Sequence, residues 1–130
     1  DDGSWIPITT FGHPQDPSDA WVLGSQYVNF IEAFDVTNST IEIVLIDGRY
    51  RIACALKLLN YNVRYIFFHD WVSRPHYHAP VLQFYDWHNP WDYATFEVTQ
   101  DSVAILTPKP IHERPAGWKT AFELYLHDSH

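Results

Sequence analysis

IEIVLIDGRYRIACALKLLNYNVRYIFFHDW, residues 41–71, decides the fold. Residues 41–46 are a nearly unbroken apolar run rich in β-branched side chains, closed by Asp47-Gly48. Such a run suits a strand covered on both faces, as in a parallel sheet. Ile52, Ala55, Leu56 and Leu59 then fall at i, i+3, i+4 and i+7, which marks one face of a helix. Residues 63–68 form a second apolar strand, and His69-Asp70 follows its end. Strand, helix and strand in this span make a βαβ crossover, which is right-handed almost without exception. The crossover sets Asp47 beside His69-Asp70 at the carboxyl edge of adjacent strands, where open α/β sheets place their ligands.

The composition bounds what surrounds this unit. A chain of 130 residues is one domain with room for a core. Apolar residues make up 46% and aromatic residues 17%, with 6 Trp, which excludes a disordered chain. A net charge of −8 argues against nucleic acid or an anionic membrane as partner, because both select basic surfaces. No apolar run is long enough to span a bilayer. The single cysteine, Cys54, sits mid-helix and reads as a small core residue rather than a nucleophile. There is no Met, at position 1 or elsewhere, so a processed chain or a fragment is expected. Asn38-Ser39-Thr40 is a glycosylation sequon in a polar turn, with Asn38 as acceptor, and it points to an extracellular, secreted glycoprotein.

Around the crossover, residues 1–40 read as an N-terminal arm and helix. Pro7 confines residues 5–10 to an edge strand or a strand start. Residues 11–19 are a loop by their Gly, Pro and Asp content. A helix is expected over 25–34, with Ser25 as N-cap and Tyr27, Phe30, Ile31 and Phe34 on its apolar face. After the crossover come a loop over 72–78, a short helix through Tyr85, and a turn cluster over 86–92. Residues 93–99 and 102–107 read as an antiparallel hairpin about Gln100-Asp101. A linker over 108–117 leads to a closing helix, 118–127, with Phe122, Tyr125 and Leu126 on one face. The expected class is α/β, a single domain. Its partial Rossmann-like sheet has two parallel strands with a crossover helix, then a C-terminal antiparallel hairpin, with helices packed on the sheet.

The residues at the joints carry a resemblance. Phe11-Gly12-His13-Pro14, then Ile46-Asp47-Gly48-Arg49-Tyr50-Arg51-Ile52-Ala53-Cys54-Ala55-Leu56, then His69-Asp70-Trp71 with Arg74-Pro75-His76-Tyr77, follow a recurring pattern. It is similar to the C-terminal half of class I, Rossmann-like S-adenosylmethionine-dependent methyltransferases, and nearest to a set of methyltransferase-like proteins. The resemblance runs from about Trp5 to Pro108. It implies a sheet in which the strand at 41–46 is flanked by the first strand of the fold. It also implies that acidic residues at the two strand ends hold a divalent cation, as in metal-dependent relatives; the matching positions are Asp47, His69 and Asp70. The family's glycine-rich cofactor turn has no counterpart: the five glycines are scattered and no G-x-G occurs. S-adenosylmethionine is therefore expected only if a separate N-terminal half supplies its site.

Three further groups bear on function. His69, His76, His78 and His88 offer imidazoles, and His76-x-His78 on an extended segment is a usable metal geometry. The Trp/Tyr set Trp71, Tyr77, Tyr85, Trp87, Trp91 and Tyr93 is concentrated in turns; Trp71, Tyr77, Trp87 and Trp91 are the expected interface residues. No Ser-His-Asp order, Walker loop, HExxH or CxxC pair is present. Three readings remain. The first is a secreted, non-catalytic, self-assembling module, a filament or oligomer, whose uncovered strand pairs with its own segment at 5–10, with a second chain or with another copy. The second is the C-terminal part of a methyltransferase, metal-assisted at Asp47, His69 and Asp70. The third is a carbohydrate- or small-ligand-binding domain using the Trp/Tyr loops. With no cofactor turn, the balance leans away from an enzyme.

Overall fold

The computed structural model describes residues 9, 13–33, 39–88 and 103–130. Four strands form one mixed sheet: β1 (Thr40–Ile46), β2 (Asn62–His69), β3 (Tyr85–His88) and β4 (Val103–Pro108). Their spatial order is β1-β2-β4-β3. β1 and β2 run parallel, with Ile46 opposite Phe68, and β4 runs antiparallel to both β2 and β3. Four helices accompany the sheet: α1 (Ala20–Val28), α2 (Arg51–Lys57), α3 (His78–Leu82) and α4 (Trp118–Tyr125). No helix among the described residues is long and apolar enough to cross a membrane. The class is α/β, as the sequence predicts, and the β1–α2–β2 crossover stands where its pattern places it.

The helical spacing of α2 is what builds the core. Ile52, Ala55 and Leu56 are buried against Val63, Ile66 and Phe68 of β2 and Leu106 of β4. Tyr85 extends the same core and ties it to α2, its hydroxyl donating to the Ala55 carbonyl. A second cluster joins α1 to the start of α2 and the end of α4 through Val28, Tyr50, Ala53 and Leu126. Tyr50 takes a left-handed backbone conformation (φ 54°) that turns its ring inward, and its hydroxyl donates to the Ala20 carbonyl at 2.8 Å. Gly24 is required here. A β-carbon on it would lie 2.6 Å from the Leu126 carbonyl oxygen and 2.7 Å from the Tyr50 ring.

Several expectations are corrected. The first helix starts at Ala20, not Ser25, because the turn Pro17–Asp19 leads into it. Asp16 caps that turn by accepting from the Ser18 amide at 3.0 Å. Its buried face is Ala20, Gly24 and Val28, small residues that admit the Tyr50 ring, and Tyr27 and Phe30 stay exposed. The helix expected through Tyr85 ends at Leu82, and Tyr85–His88 is a strand held by β4 instead of part of a turn cluster. β4 finds its partners in β2 and β3; the hairpin arm at 93–99 lies outside the described residues, as do Phe34 and all of the expected edge strand at 5–10 except Thr9, which is not in a strand. β1 is not covered on both faces. Ile43 and Leu45 are 55% and 62% exposed, and among the described residues no strand pairs with its outer edge. The closing helix keeps its expected face, with Leu126 buried and Phe122 and Tyr125 packed against the core.

Candidate functional site

Parallel pairing of β1 and β2 brings their carboxyl ends together. Asp47 follows β1, His69 ends β2, and Asp70 is the next residue. Asp70 has φ 56°, a left-handed conformation uncommon outside glycine, which turns its carboxylate back toward β1. His69 Nδ1 lies 2.9 Å from Asp47 Oδ1 and 3.2 Å from Asp70 Oδ1. One donor atom from each of the three residues falls within 4.8 Å of the others. The Nδ1 atom is shielded from solvent, and neither neighbour meets it with hydrogen-bond geometry.

Arg51 organises the cluster from beneath. At 2% exposure it is the one buried charged residue among the described residues. Its Nε donates to the Gly48 carbonyl at 2.9 Å and Nη1 donates to the His69 carbonyl at 2.7 Å. Nη1 also reaches Asp70 Oδ2 at 3.3 Å, and Nη2 stands 3.7 Å from Asp47 Oδ1. The guanidinium fork thus ties both strand ends to the first turn of α2, a geometry an ammonium would not supply. Burial of the Asp70 carboxyl pushes its pKa up, but His69, Arg51 and Arg74 outweigh that and hold it below the ordinary carboxylate value. Asp70 is therefore an anion at neutral pH.

The other expected residues are dispersed. Trp71 and Tyr77 are corrected from interface to core: both are buried, packing on Phe68 with ring centroids at 5.2 and 5.0 Å. Trp87 is exposed on β3, whereas Trp91 and the sequon residue Asn38 lie outside the described residues. His76 and His78 do not form a metal pair. They sit in the turn Pro75–Tyr77 and the start of α3, not on an extended segment, and His78 stacks on Trp71 while its Nε2 meets the Trp71 carbonyl oxygen at 2.8 Å. His88 Nε2 meets Thr107 Oγ1 at 2.6 Å, far from either. Burial pushes the Cys54 thiol up to about 12, so it is no thiolate at neutral pH. The sequence offers Arg49, Arg51 and Arg74 as ion-pair partners for Asp70, and the structure pairs it with Arg51 and Arg74. What the sequence does not show is that Arg51, at the first position of α2, is buried and also serves the Gly48 and His69 carbonyls.

No protein-family model matches the chain, and no curated protein matches it in sequence. Among solved structures, it is similar to a methyltransferase-like protein from Silicibacter pomeroyi DSS-3, with a TM-score of 0.56 and 22% identity. The match covers 96% of this chain and 60% of that one. At that identity it is a likeness of fold. The chain shares the architecture of a methyltransferase-like protein and spans about 60% of that protein's length.

Proposed function

We propose that this chain is the substrate-handling part of a methyltransferase-like protein, with Asp47, His69 and Asp70 holding a divalent cation at the edge of the sheet. The observation that carries the reading is the convergence of two carboxylate oxygens and one imidazole nitrogen, 2.9 and 3.2 Å apart, from adjacent strand ends. An imidazole nitrogen this close to two carboxylate oxygens, without hydrogen-bond geometry, is a contact that a shared cation would satisfy. The separations suit neighbouring ligands of an ion with bonds of about 2.1 Å, and a mixed oxygen and nitrogen set suits manganese or zinc. Such an ion would polarise a substrate oxygen. The protein's own part is to fix the ligands: Arg51 anchors both strand ends, and the Asp70 backbone aims its carboxylate. S-adenosylmethionine would come from a further segment that completes the sheet across the open edge of β1. In support, that edge carries exposed Ile43 and Leu45 and adjoins an apolar cavity of about 560 Å³ between β1 and α1.

The test is calorimetric titration of the chain with manganese. One saturable site is expected, weakened at least tenfold in His69→Gln and in Asp70→Asn, and unchanged in Asp86→Asn, whose carboxylate lies on β3. Equal binding by all four proteins would sink the reading.

A second reading is favoured by the same open edge: a copy of this chain, rather than a separate segment, pairs along β1. Sedimentation velocity decides it. A concentration-dependent oligomer that Leu45→Lys dissolves supports self-pairing, and a monomer at all concentrations rejects it.

A further inference from the structure

A second polar site lies beside the first and has the opposite charge. His13, Arg49, Ser73, Arg74, His76 and His130 line a cavity of about 510 Å³, within the range of small-molecule sites. The chain carries a net charge of −8, yet no Asp or Glu side chain is in the lining of this cavity, whereas two guanidinium groups and three imidazoles are. Two guanidinium groups in one concavity favour an anion there, and such concentrations mark functional sites.

Arg49 is held in place by a neutral partner, and Arg74 by a hydroxyl and a carboxylate. Arg49 Nη1 meets His13 Nε2 at 2.9 Å, and among the described residues Arg49 makes no ion pair with a carboxylate. Guanidinium can only donate, so Nε2 accepts and Nδ1 carries the proton, which it directs to Ser129 Oγ at 2.6 Å. Burial first, then Arg49, His130 and Arg74, lower the His13 pKa, in keeping with a neutral ring that positions Arg49. Arg74 is fixed by the Tyr77 hydroxyl at 3.3 Å, and its Nη2 stands 3.6 Å from Asp70. The Tyr77 hydroxyl in turn donates to the His130 main-chain oxygen at 2.9 Å, which holds His130 at the cavity wall. The rings of His13 and His130 lie 4.8 Å apart, and His76 stands edge-on to His130 at 6.3 Å. Among the described residues Arg49 engages His13 through Nη1 alone, while Arg74 engages Tyr77 through Nη1 and Asp70 through Nη2.

We infer that this cavity binds the oxyanion of a small organic molecule, a phosphate ester or a carboxylate, gripped between Arg49 and Arg74. A guanidinium fork matches two oxygens of either group. The remaining volume accepts the body of the molecule against the imidazole walls. The inference goes beyond the reading above and holds with or without a cation at Asp47, His69 and Asp70.

The experiment is calorimetric titration of metal-stripped, resin-treated protein in 150 mM NaCl with inorganic phosphate, pyrophosphate and malonate. (The salt level, about a physiological one, suppresses diffuse binding to exposed charge.) The expected result is one saturable site. Arg49→Gln and Arg74→Gln should each weaken it at least tenfold. Arg64→Gln, the same change of charge on exposed β2 surface, should leave it as it is. Tighter binding of the phosphates assigns a phosphate ester; tighter binding of malonate assigns a carboxylate. Absence of saturation, or equal weakening by Arg64→Gln, overturns the inference. Amide shifts induced by phosphate in the unmodified protein give an answer independent of any variant's folding. They should centre on residues 73–76, Arg49 and His130, and a centre elsewhere also overturns it.

Discussion

Arg51 is the residue on which the strand ends depend. Its fork serves the Gly48 and His69 carbonyls and the Asp70 carboxylate at once, from a side chain that is almost fully buried. Removing it strands those acceptors, so Arg51→Ala should cost about 3 kcal/mol, measured as a shift in the urea midpoint at constant slope. Arg51→Lys should restore less than half of that, because an ammonium cannot reach all three. His13 makes stability depend on pH. Its folded pKa lies below the ordinary value of 6.5, through burial, then Arg49, His130 and Arg74, against which Asp128 acts weakly. The unfolded chain then binds a proton more readily than the folded one. This contribution is complete above about pH 6.5 and is lost as pH falls below it. Denaturant midpoints at pH 7.5 and 5.5 should therefore fall further for the unmodified protein than for His13→Gln. Of these residues, Asp47, His69 and Asp70 were legible because each follows directly on an apolar strand. The meeting of His13 with His130 was not, since nothing local in a sequence relates residues at opposite ends of a chain.

At the scale of the element, two glycines test how the helices are seated. A β-carbon at Gly24 would meet the Leu126 carbonyl and the buried Tyr50 ring, neither of which has room to move. One at Gly48 would meet the hydroxyl end of the Tyr27 side chain, which is half exposed and can swing away. Gly24→Ala should thus cost about 2–3 kcal/mol, and Gly48→Ala about 1 kcal/mol or less, compared by thermal or urea unfolding. What could be read of the elements follows their locality. The β1–α2–β2 unit was legible because its periods are long and its turn is marked by Asp47-Gly48. Tyr85–His88 was not, because a four-residue strand is made by its distant partner β4 and carries no period of its own. The exposure of β1 was hidden for a related reason: an apolar run reports that a strand tolerates burial on both faces, not that something covers it. The start of α1 was missed because Ser25 looks like a cap, while the true signal, Asp16-Pro17, lay in a stretch read as loop.

Among the described residues the sheet leaves the outer edge of β1 unpaired and gathers polar groups at one end. β1 leaves Ile43 and Leu45 in solvent, and its carboxyl end delivers Asp47 to the same corner as His69 and Asp70. The cationic cavity of Arg49 and Arg74 adjoins that corner, so an acidic cluster and a basic pocket share the carboxyl edge of the parallel strands. That is where an open α/β sheet binds its ligands. The likeness to a methyltransferase-like protein covers nearly all of this chain and leaves part of that protein unmatched. This is consistent with the proposal that another strand closes the β1 edge. The measurement that bears most directly on the account is manganese-induced line broadening of the backbone amides in the isotopically labelled protein. With substoichiometric ion, the amides of Asp47, Gly48, His69, Asp70 and Trp71 should broaden first, and His69→Gln should abolish the effect. Broadening centred on other residues, or spread evenly over the acidic surface, would contradict a ligand site at these strand ends.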